Sequence, residues 1–474
     1  MRHGNDDSDD DSDDESNKDF KSLPPVPRPH HRYFNPNFAS LRDIYNGHVM
    51  ANVVPLEALA LSSSSSSHDM LQQIRTFWKA FYPTRAKAAV SAWQQVLLAN
   101  RHAKQQQDGN DSDDIVDDEI VQVTLTVPRR RNILQEWGFA HVLSRQEMPE
   151  GDLAVTLRMP LSVVLQGNNN VRLSSEAKNE FGCRTLVVES INLSLLDPNV
   201  PLVLYFHGGG LTAGTRDDCI ALEMVQAAAA TTAGEGKRLI LASVGYSLAP
   251  KYKFPTQPAE ALTVLSYLLE QSSTNSAQRR IHIWGISAGA NLAAVAGLEL
   301  LRRFPHRLGS LAAWIPMVDP AADSTSFYMN RNVQWVSPAW LRWCWRSYLG
   351  MPHVSDEERE ILSLHTLAER LAHGSNQKAW AASPWRQNNL QRLVDPTLDV
   401  PPLHEAVSPI SILTNRADPL YDDGIKLLQA LEAQGANVTH VDHPGSHWLG
   451  TALDPNNYQE LVHVWKDHIF AYNN

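Results

Sequence analysis

The sequence predicts an α/β chain built on a doubly wound, mostly parallel sheet, and three observations predict it. From Cys183 onward, short apolar runs alternate with segments of helical length. One apolar run passes through Gly285-Ile286-Ser287-Ala288-Gly289 straight into a helical stretch. Another ends in His207-Gly208-Gly209-Gly210.

The elements follow in order. Ile120–Val127 alternates apolar and polar residues and reads as a strand. Leu153–Leu157 and Leu161–Leu165 are two further strands or a helix and a loop; the pattern leaves this open. Arg184–Ser190, Leu202–Phe206, Leu239–Val244, Ile281–Trp284, Leu311–Ile315 and Ile410–Leu413 read as short buried strands. A last short apolar stretch covers Val438–Val441. Helices are expected near 217–229, 257–271, 288–303 and 422–434, which is the alternation a parallel sheet needs for its crossovers.

What precedes this body is different in composition. The 474 residues carry a formal net charge of −11, and the acidity is local. Residues 6–19 hold nine acids and one base, and residues 108–119 hold seven acids and no base. The remainder has 36 acids against 40 bases, so the two runs read as solvated spacers. Residues 1–68 form an acidic, Pro-containing and Ser-rich arm with six consecutive serines at 62–67. Residues 69–107 carry Leu71, Ile74, Trp78, Phe81 and Tyr82, then Ala89, Val90, Trp93 and Leu97, largely at helical spacing. Pro83 divides this stretch into two amphipathic helices, expected to pack on the body that follows. Residues 108–119 are then an acidic linker, and 120–474 the α/β domain.

Several function classes find no support. Cys183, Cys219 and Cys344 are too few and too scattered for a disulfide framework or a metal site. His30 and His31 read as incidental residues of the arm, so no metal and no cofactor is expected. There is no Gly-rich phosphate loop and no basic, aromatic-rich stripe for nucleic acid; Arg129–Arg131 reads as a solvated edge. The acidic N-terminus is unlike a secretory signal, and no apolar run reaches the roughly 18 residues of a membrane span. A soluble cytoplasmic protein is the expectation, with its oligomeric state open.

The chemistry is carried by three motifs. In Gly285–Gly289 the serine sits where a strand turns sharply into a helix, which lifts its hydroxyl above the sheet. The pentapeptide alone arises by chance in roughly one chain in ten of this size, so the context carries the assignment. Three glycines, Gly208–Gly210, shortly after the strand Leu202–Phe206 leave backbone N–H groups free to converge on a developing alkoxide. In that reading His207 fixes the loop rather than serving as a base. A serine nucleophile needs a base and an orienting carboxylate, which in this arrangement follow it in the order acid, histidine. Asp418 lies just beyond the strand Ile410–Leu413, with Asp422 and Asp423 as rivals inside the next helix. His447 lies in the loop after Val438–Val441, with His440 and His443 read as packing or surface residues.

These residues together resemble the hormone-sensitive lipase family of α/β-hydrolases. The resemblance rests on Tyr205–Gly210, Tyr246-Ser247-Leu248-Ala249-Pro250 with Phe254-Pro255, Gly285–Asn291, Ala382-Ser383-Pro384, Asp418-Pro419-Leu420 and Gly445–His447, in order along roughly 183–472. It implies an α/β-hydrolase fold and an esterase or lipase acting on a small-molecule ester. It also implies a Ser287/Asp418/His447 triad and an oxyanion hole made by the N–H groups of Gly209, Gly210 and Ala288. The insertion near 320–400, with Trp335, Trp340, Trp343, Trp345, Tyr348 and the charged run Ser355–His373, would form a cap in that family. Three positions depart from the pattern: Ile286 replaces a common acid, Ser247 replaces the arginine of Tyr-Arg-Leu-Ala-Pro, and Trp448-Leu449 replaces Gly-Phe. A non-catalytic small-ligand receptor on the same scaffold, as the gibberellin receptors are, or an interaction protein, is the alternative. The presence of His447 argues against the receptor.

Overall fold

The computed structural model describes residues 120–167, 172–173, 184–187 and 193–470. The last range has breaks at 198, 219–220, 222–223, 226–237, 273–278, 331–335, 337, 352–379, 388–389, 404–407, 445–446 and 448–454. The expected arm, helix pair and acidic linker of 1–119 lie outside the described residues. So do Cys183, Cys219, Trp335, the run 355–373 and Trp448-Leu449.

Among the described residues, ten strands form the body: β1 (Ile120–Val127), β2 (Leu153–Pro160), β3 (Arg172–Leu173), β4 (Arg184–Val187), β5 (Leu202–Phe206), β6 (Ile240–Val244), β7 (Ile281–Ile286), β8 (Leu308–Trp314), β9 (Ile410–Asn415) and β10 (Val438–His443). The helices are α1 (Ile133–Glu136), α2 (Leu161–Gly167), α3 (Thr256–Gln271), α4 (Ala288–Arg303), α5 (Thr325–Met329), α6 (Pro338–Leu349), α7 (Pro384–Gln387), α8 (Tyr421–Glu432) and α9 (Pro455–Phe470). Leu161–Leu165, left open by its pattern, is helical: β2 stops at Pro160, which has no N–H to continue a ladder.

The sheet order is β10-β9-β8-β7-β5-β6-β2-β1-β4-β3. From β6 to β10 every pairing is parallel, while β2 runs antiparallel to both β1 and β6. The burial follows the topology. Central β5 (LVLYF) is buried at every position, because crossover helices cover both faces, so its sequence is continuously apolar. In β1 alternate residues face outward, which is the period-two pattern its sequence carries.

On one face, aromatic rings tie the central strands together. Tyr205 meets Trp284 with centroids 4.3 Å apart, and Trp284 meets Trp314 at 4.9 Å and Trp465 of α9 at 5.4 Å. Such offset and edge-on contacts add to the burial of some of the largest side chains in the core. Among the described residues, no helix is long and apolar enough to cross a membrane.

The register decides where functional loops emerge. Phe206 pairs with Gly285, Gly285 with Ala313, Ala313 with Ile412, and Ile412 with His440. Strands β5, β7, β8, β9 and β10 therefore end along one edge. Strand β5 has β6 on one side and β7 on the other, so the chain changes winding direction there. A crevice at such a switch point is where open α/β sheets bind ligands.

Candidate active site

Ser287 occupies the turn between β7 and α4 with φ 56° and ψ −122°, a conformation disfavoured for a side chain with a Cβ. The strain is held by its surroundings. The Ser287 N–H donates to the Trp314 carbonyl at 2.8 Å, and the Ser287 carbonyl accepts from Ala290 at 3.0 Å and Met317 at 3.2 Å. The flanking glycines are required by space: a Cβ on Gly285 would run into the Gly289 carbonyl, and one on Gly289 into the carbonyls of Phe206 and His207. Helix α4 begins at Ala288, so its N-terminal dipole points toward the serine turn.

The glycine loop after β5 lies directly against that turn. A Cβ on Gly208 would stand 3.4 Å from the Ser287 Cβ. Gly209 and Gly210 have φ of 116° and 63°, and the Gly209 carbonyl accepts from Thr212 and Ala213, folding the loop back on itself. Among the described residues, the N–H groups of Gly209, Gly210 and Ala288 have no acceptor.

His207 opens the glycine loop and is buried. Its Nδ1–H donates to the Gly208 carbonyl at 2.8 Å, and burial pushes the ring down to about 4, so it is neutral at pH 7. Tyr246 stacks on it and donates its hydroxyl to the His207 carbonyl at 2.7 Å. The Ala249 N–H donates to the Leu211 carbonyl at 2.9 Å, so the Tyr246–Pro250 segment grips the loop at both ends.

Among the candidate carboxylates and histidines, the fold pairs Asp418 with His447. Nδ1 of His447 stands 2.7 Å from Oδ2 of Asp418, and both side chains are buried. The other Asp418 oxygen accepts from the Leu420 N–H at 2.9 Å. Since a carboxylate only accepts, it is Nδ1 of His447 that carries the proton of this contact.

The rivals have other partners. Asp422 accepts from the Ser326 N–H at 2.7 Å, and Asp423 accepts from Val318 and Asp319 at 2.8 and 2.9 Å. Burial, with Asp319 nearby, holds the Asp423 carboxyl well above the usual range. His440 contacts Thr414 Oγ1 through Nε2 at 2.9 Å, and His443 closes β10 as a buried residue rather than lying in the loop.

Helix α6 lies over the glycine loop. A Cβ on Gly210 would stand 3.0 Å from the tip of the Trp340 indole and against the Cys344 sulfur. The Thr212 hydroxyl lies 3.5 Å from that sulfur, and burial pushes the thiol up. The helix is fixed by Arg342 donating to the Ala322 carbonyl and by its Tyr348 carbonyl accepting from Phe254.

Sequence reasoning missed the contributions of Asn291 and Arg129. Asn291, inside the quoted Gly285–Asn291 motif, donates to the Met317 and Val394 carbonyls at 3.1 and 2.7 Å. It anchors the stretch after β8 that holds Ser287. The solvated edge expected for Arg129–Arg131 fails at Arg129, which pairs with the buried Glu260 at 2.9 Å. No local signal distinguishes it from its two neighbours, because its partner is 131 residues away. Among the described residues, no group of three or more His, Cys, Asp or Glu could hold a metal ion.

A nucleophile-elbow serine, a glycine loop of open donors and a carboxylate–histidine pair at one sheet edge define an α/β-hydrolase. A family model described as alpha/beta hydrolase fold matches residues 203–448, and the chain belongs to that family. The resemblance to hormone-sensitive lipases read from the motifs is borne out.

Among known proteins, an esterase of Gibberella moniliformis is 24% identical over 254 residues, covering 53% of this chain and 67% of that protein. Neutral cholesterol ester hydrolase 1 of Mus musculus is 26% identical over 280 residues, covering 52% and 67%. The alignments thus span about half of this chain and two thirds of each curated relative. A hyperthermophilic esterase from the archaeon Pyrobaculum calidifontis shares the fold, with a TM-score of 0.50 at 16% identity over 92% of this chain and 98% of that one.

Proposed function

We propose that the protein hydrolyses carboxylic esters of small molecules through Ser287, His447 and Asp418. The observation that carries this reading is the buried 2.7 Å contact between His447 and Asp418, at the edge that also bears the Ser287 turn and the glycine loop. Ser287 Oγ attacks the ester carbonyl while His447 Nε2 takes the hydroxyl proton. The oxyanion rests on the N–H groups of Gly209, Gly210 and Ala288. Collapse expels the alcohol, which receives the proton from His447, and leaves an acyl-enzyme. Water then repeats the sequence, with His447 as base, and releases the acid. Asp418 keeps the imidazole in the productive tautomer and stabilises the imidazolium. Nothing in these steps calls for a cofactor.

The insertion near 320–400 acts in this reading as a cap, with Trp340 and its neighbours on α6 lining the acyl or alcohol pocket. The position of the Trp340 indole against Gly210 supports that role. The ester-hydrolase names of the relatives agree with the chemistry and leave the physiological ester open.

The test is turnover of p-nitrophenyl esters by wild type and Ser287→Ala, with organophosphonate labelling mapped by mass spectrometry. Turnover abolished by the substitution and a single adduct on Ser287 are expected. An inert wild type without an adduct would leave the receptor or interaction-protein reading in its place.

A further inference from the structure

We propose that Arg129, outside the stretch that matches the family, is a positioning residue for the oxyanion loop. It holds the buried Glu260 carboxylate that fixes Ser247, and through Ser247 the segment that grips His207–Gly210. The inference rests on the ester-hydrolase reading of the Ser287 site.

The contacts form a continuous chain. Glu260 on α3 is buried, and its Oε1 accepts from Arg129 Nε at 2.9 Å and from the Ser247 hydroxyl at 2.7 Å. Its Oε2 accepts from the Ser247 backbone N–H at 2.6 Å. One carboxylate therefore fixes both the backbone and the side chain of the residue next to Tyr246. Tyr246 and Ala249 in turn hold the two ends of the glycine loop, at the His207 and Leu211 carbonyls.

Glu260 can do this as a charged acceptor only with a counter-charge. Burial pushes its carboxyl up, and Arg129 is the charged group opposing that shift. The Arg129 fork is itself seated, since Nη1 donates to the Gly151 carbonyl at 2.6 Å and to the Glu150 carbonyl at 3.3 Å. Its Nη2 also reaches Ser247 Oγ at 3.5 Å. Lysine, a single point donor, cannot span these partners.

Position 247 is where the family signature carries arginine and this chain carries serine. A guanidinium rooted at 247 would start beside the same carboxylate; here the charge comes from Arg129, two residues beyond the end of β1. An oxyanion hole is sensitive to small displacements, and a misplacement of about 1 Å can cost on the order of 10²-fold in rate.

The experiment uses the full chain and p-nitrophenyl acetate, comparing wild type with Arg129→Ala, Glu260→Gln and the double variants Arg129→Ala/Glu260→Gln and Arg129→Ala/Ser247→Arg. Arg129→Ala should lower kcat roughly 10- to 100-fold with KM within about twofold, because donors are displaced while the pocket persists. In the Glu260→Gln background, where no buried charge needs neutralising, the Arg129→Ala effect should shrink to within about threefold. Ser247→Arg should restore most of the lost rate.

An unchanged kcat in Arg129→Ala overturns the proposal. So does a melting temperature that recovers in the double variants while kcat does not, since the cluster would then be a structural clamp alone. An inert wild type brings down the hydrolase reading and the positioning role together. A wild type that turns over, with no coupling between 129 and 260, brings down only the latter.

Discussion

The Tyr246 ring lies nearly parallel to His207, 12° apart with centroids at 4.1 Å, and its hydroxyl donates to the His207 carbonyl. The residue that opens the glycine loop is thus held by its ring and by its backbone at once. Tyr246→Phe keeps the stack and removes only the hydrogen bond, worth about 1 kcal/mol, so kcat should fall up to roughly tenfold with the melt little changed. Tyr246→Ala removes both and should lower kcat and melting temperature together. Steady-state kinetics on p-nitrophenyl acetate and a thermal melt decide between these outcomes.

Asp418 lies in the loop before α8 and Asp422 in its first turn, and the two differ in partner. Asp418→Asn should lower kcat on the order of 10⁴-fold by favouring the wrong tautomer of His447, with the melt nearly unchanged. Asp422→Asn touches the Ser326 N–H contact and should keep kcat within a few-fold. If Asp422→Asn proved the more damaging of the two, the acid would be misassigned.

Burial holds His207 down to about 4 and His282 down to about 3, both neutral in the fold. Once unfolded, each titrates near 6.5, so below that pH the unfolded chain binds protons the folded chain refuses. Their contribution is complete above about 6.5. It is lost as pH falls toward 4, at about 1.4 kcal/mol per pH unit for each histidine. Urea unfolding at pH 7 and pH 5 should show this loss. His282→Phe fills the same space beside Gly309 without titrating and should reduce the slope by one proton.

Trp340 bounds the space beside Gly210. Trp340→Leu keeps an apolar side chain on α6 and shortens it, so the preferred acyl or alcohol length should increase. A chain-length series of p-nitrophenyl esters reads this directly, and an unchanged profile would place the specificity wall elsewhere.

Much of the site was legible because its chemistry is local. Strand β5 is a continuous apolar run and β7 a largely apolar one, and glycines stand at or just past the end of each, at Gly208–Gly210 and at Gly285 and Gly289. Asp418 and His447 were legible as candidates through their positions just past β9 and β10, and the fold brings the two into contact. Other features were not. Leu161–Leu165 has too few residues for its period to separate strand from helix, and β10 extends through His443 because the β9 ladder continues to Asn415. Arg129 reads like Arg130 and Arg131 until α3 presents Glu260 to it.

By itself the sequence determined the order of elements, the serine turn, the glycine loop and a short set of candidate acids and bases. Periodicity, glycine placement and motif spacing depend only on neighbours along the chain. Tertiary structure alone decided which carboxylate meets His447, that Tyr246 and Ala249 grip the glycine loop, that Trp340 stands against Gly210, and that Glu260 draws its counter-charge from Arg129. Those are contacts between residues tens to more than a hundred positions apart. Sheet register and helix packing set them, and no pattern of adjacent residues encodes them.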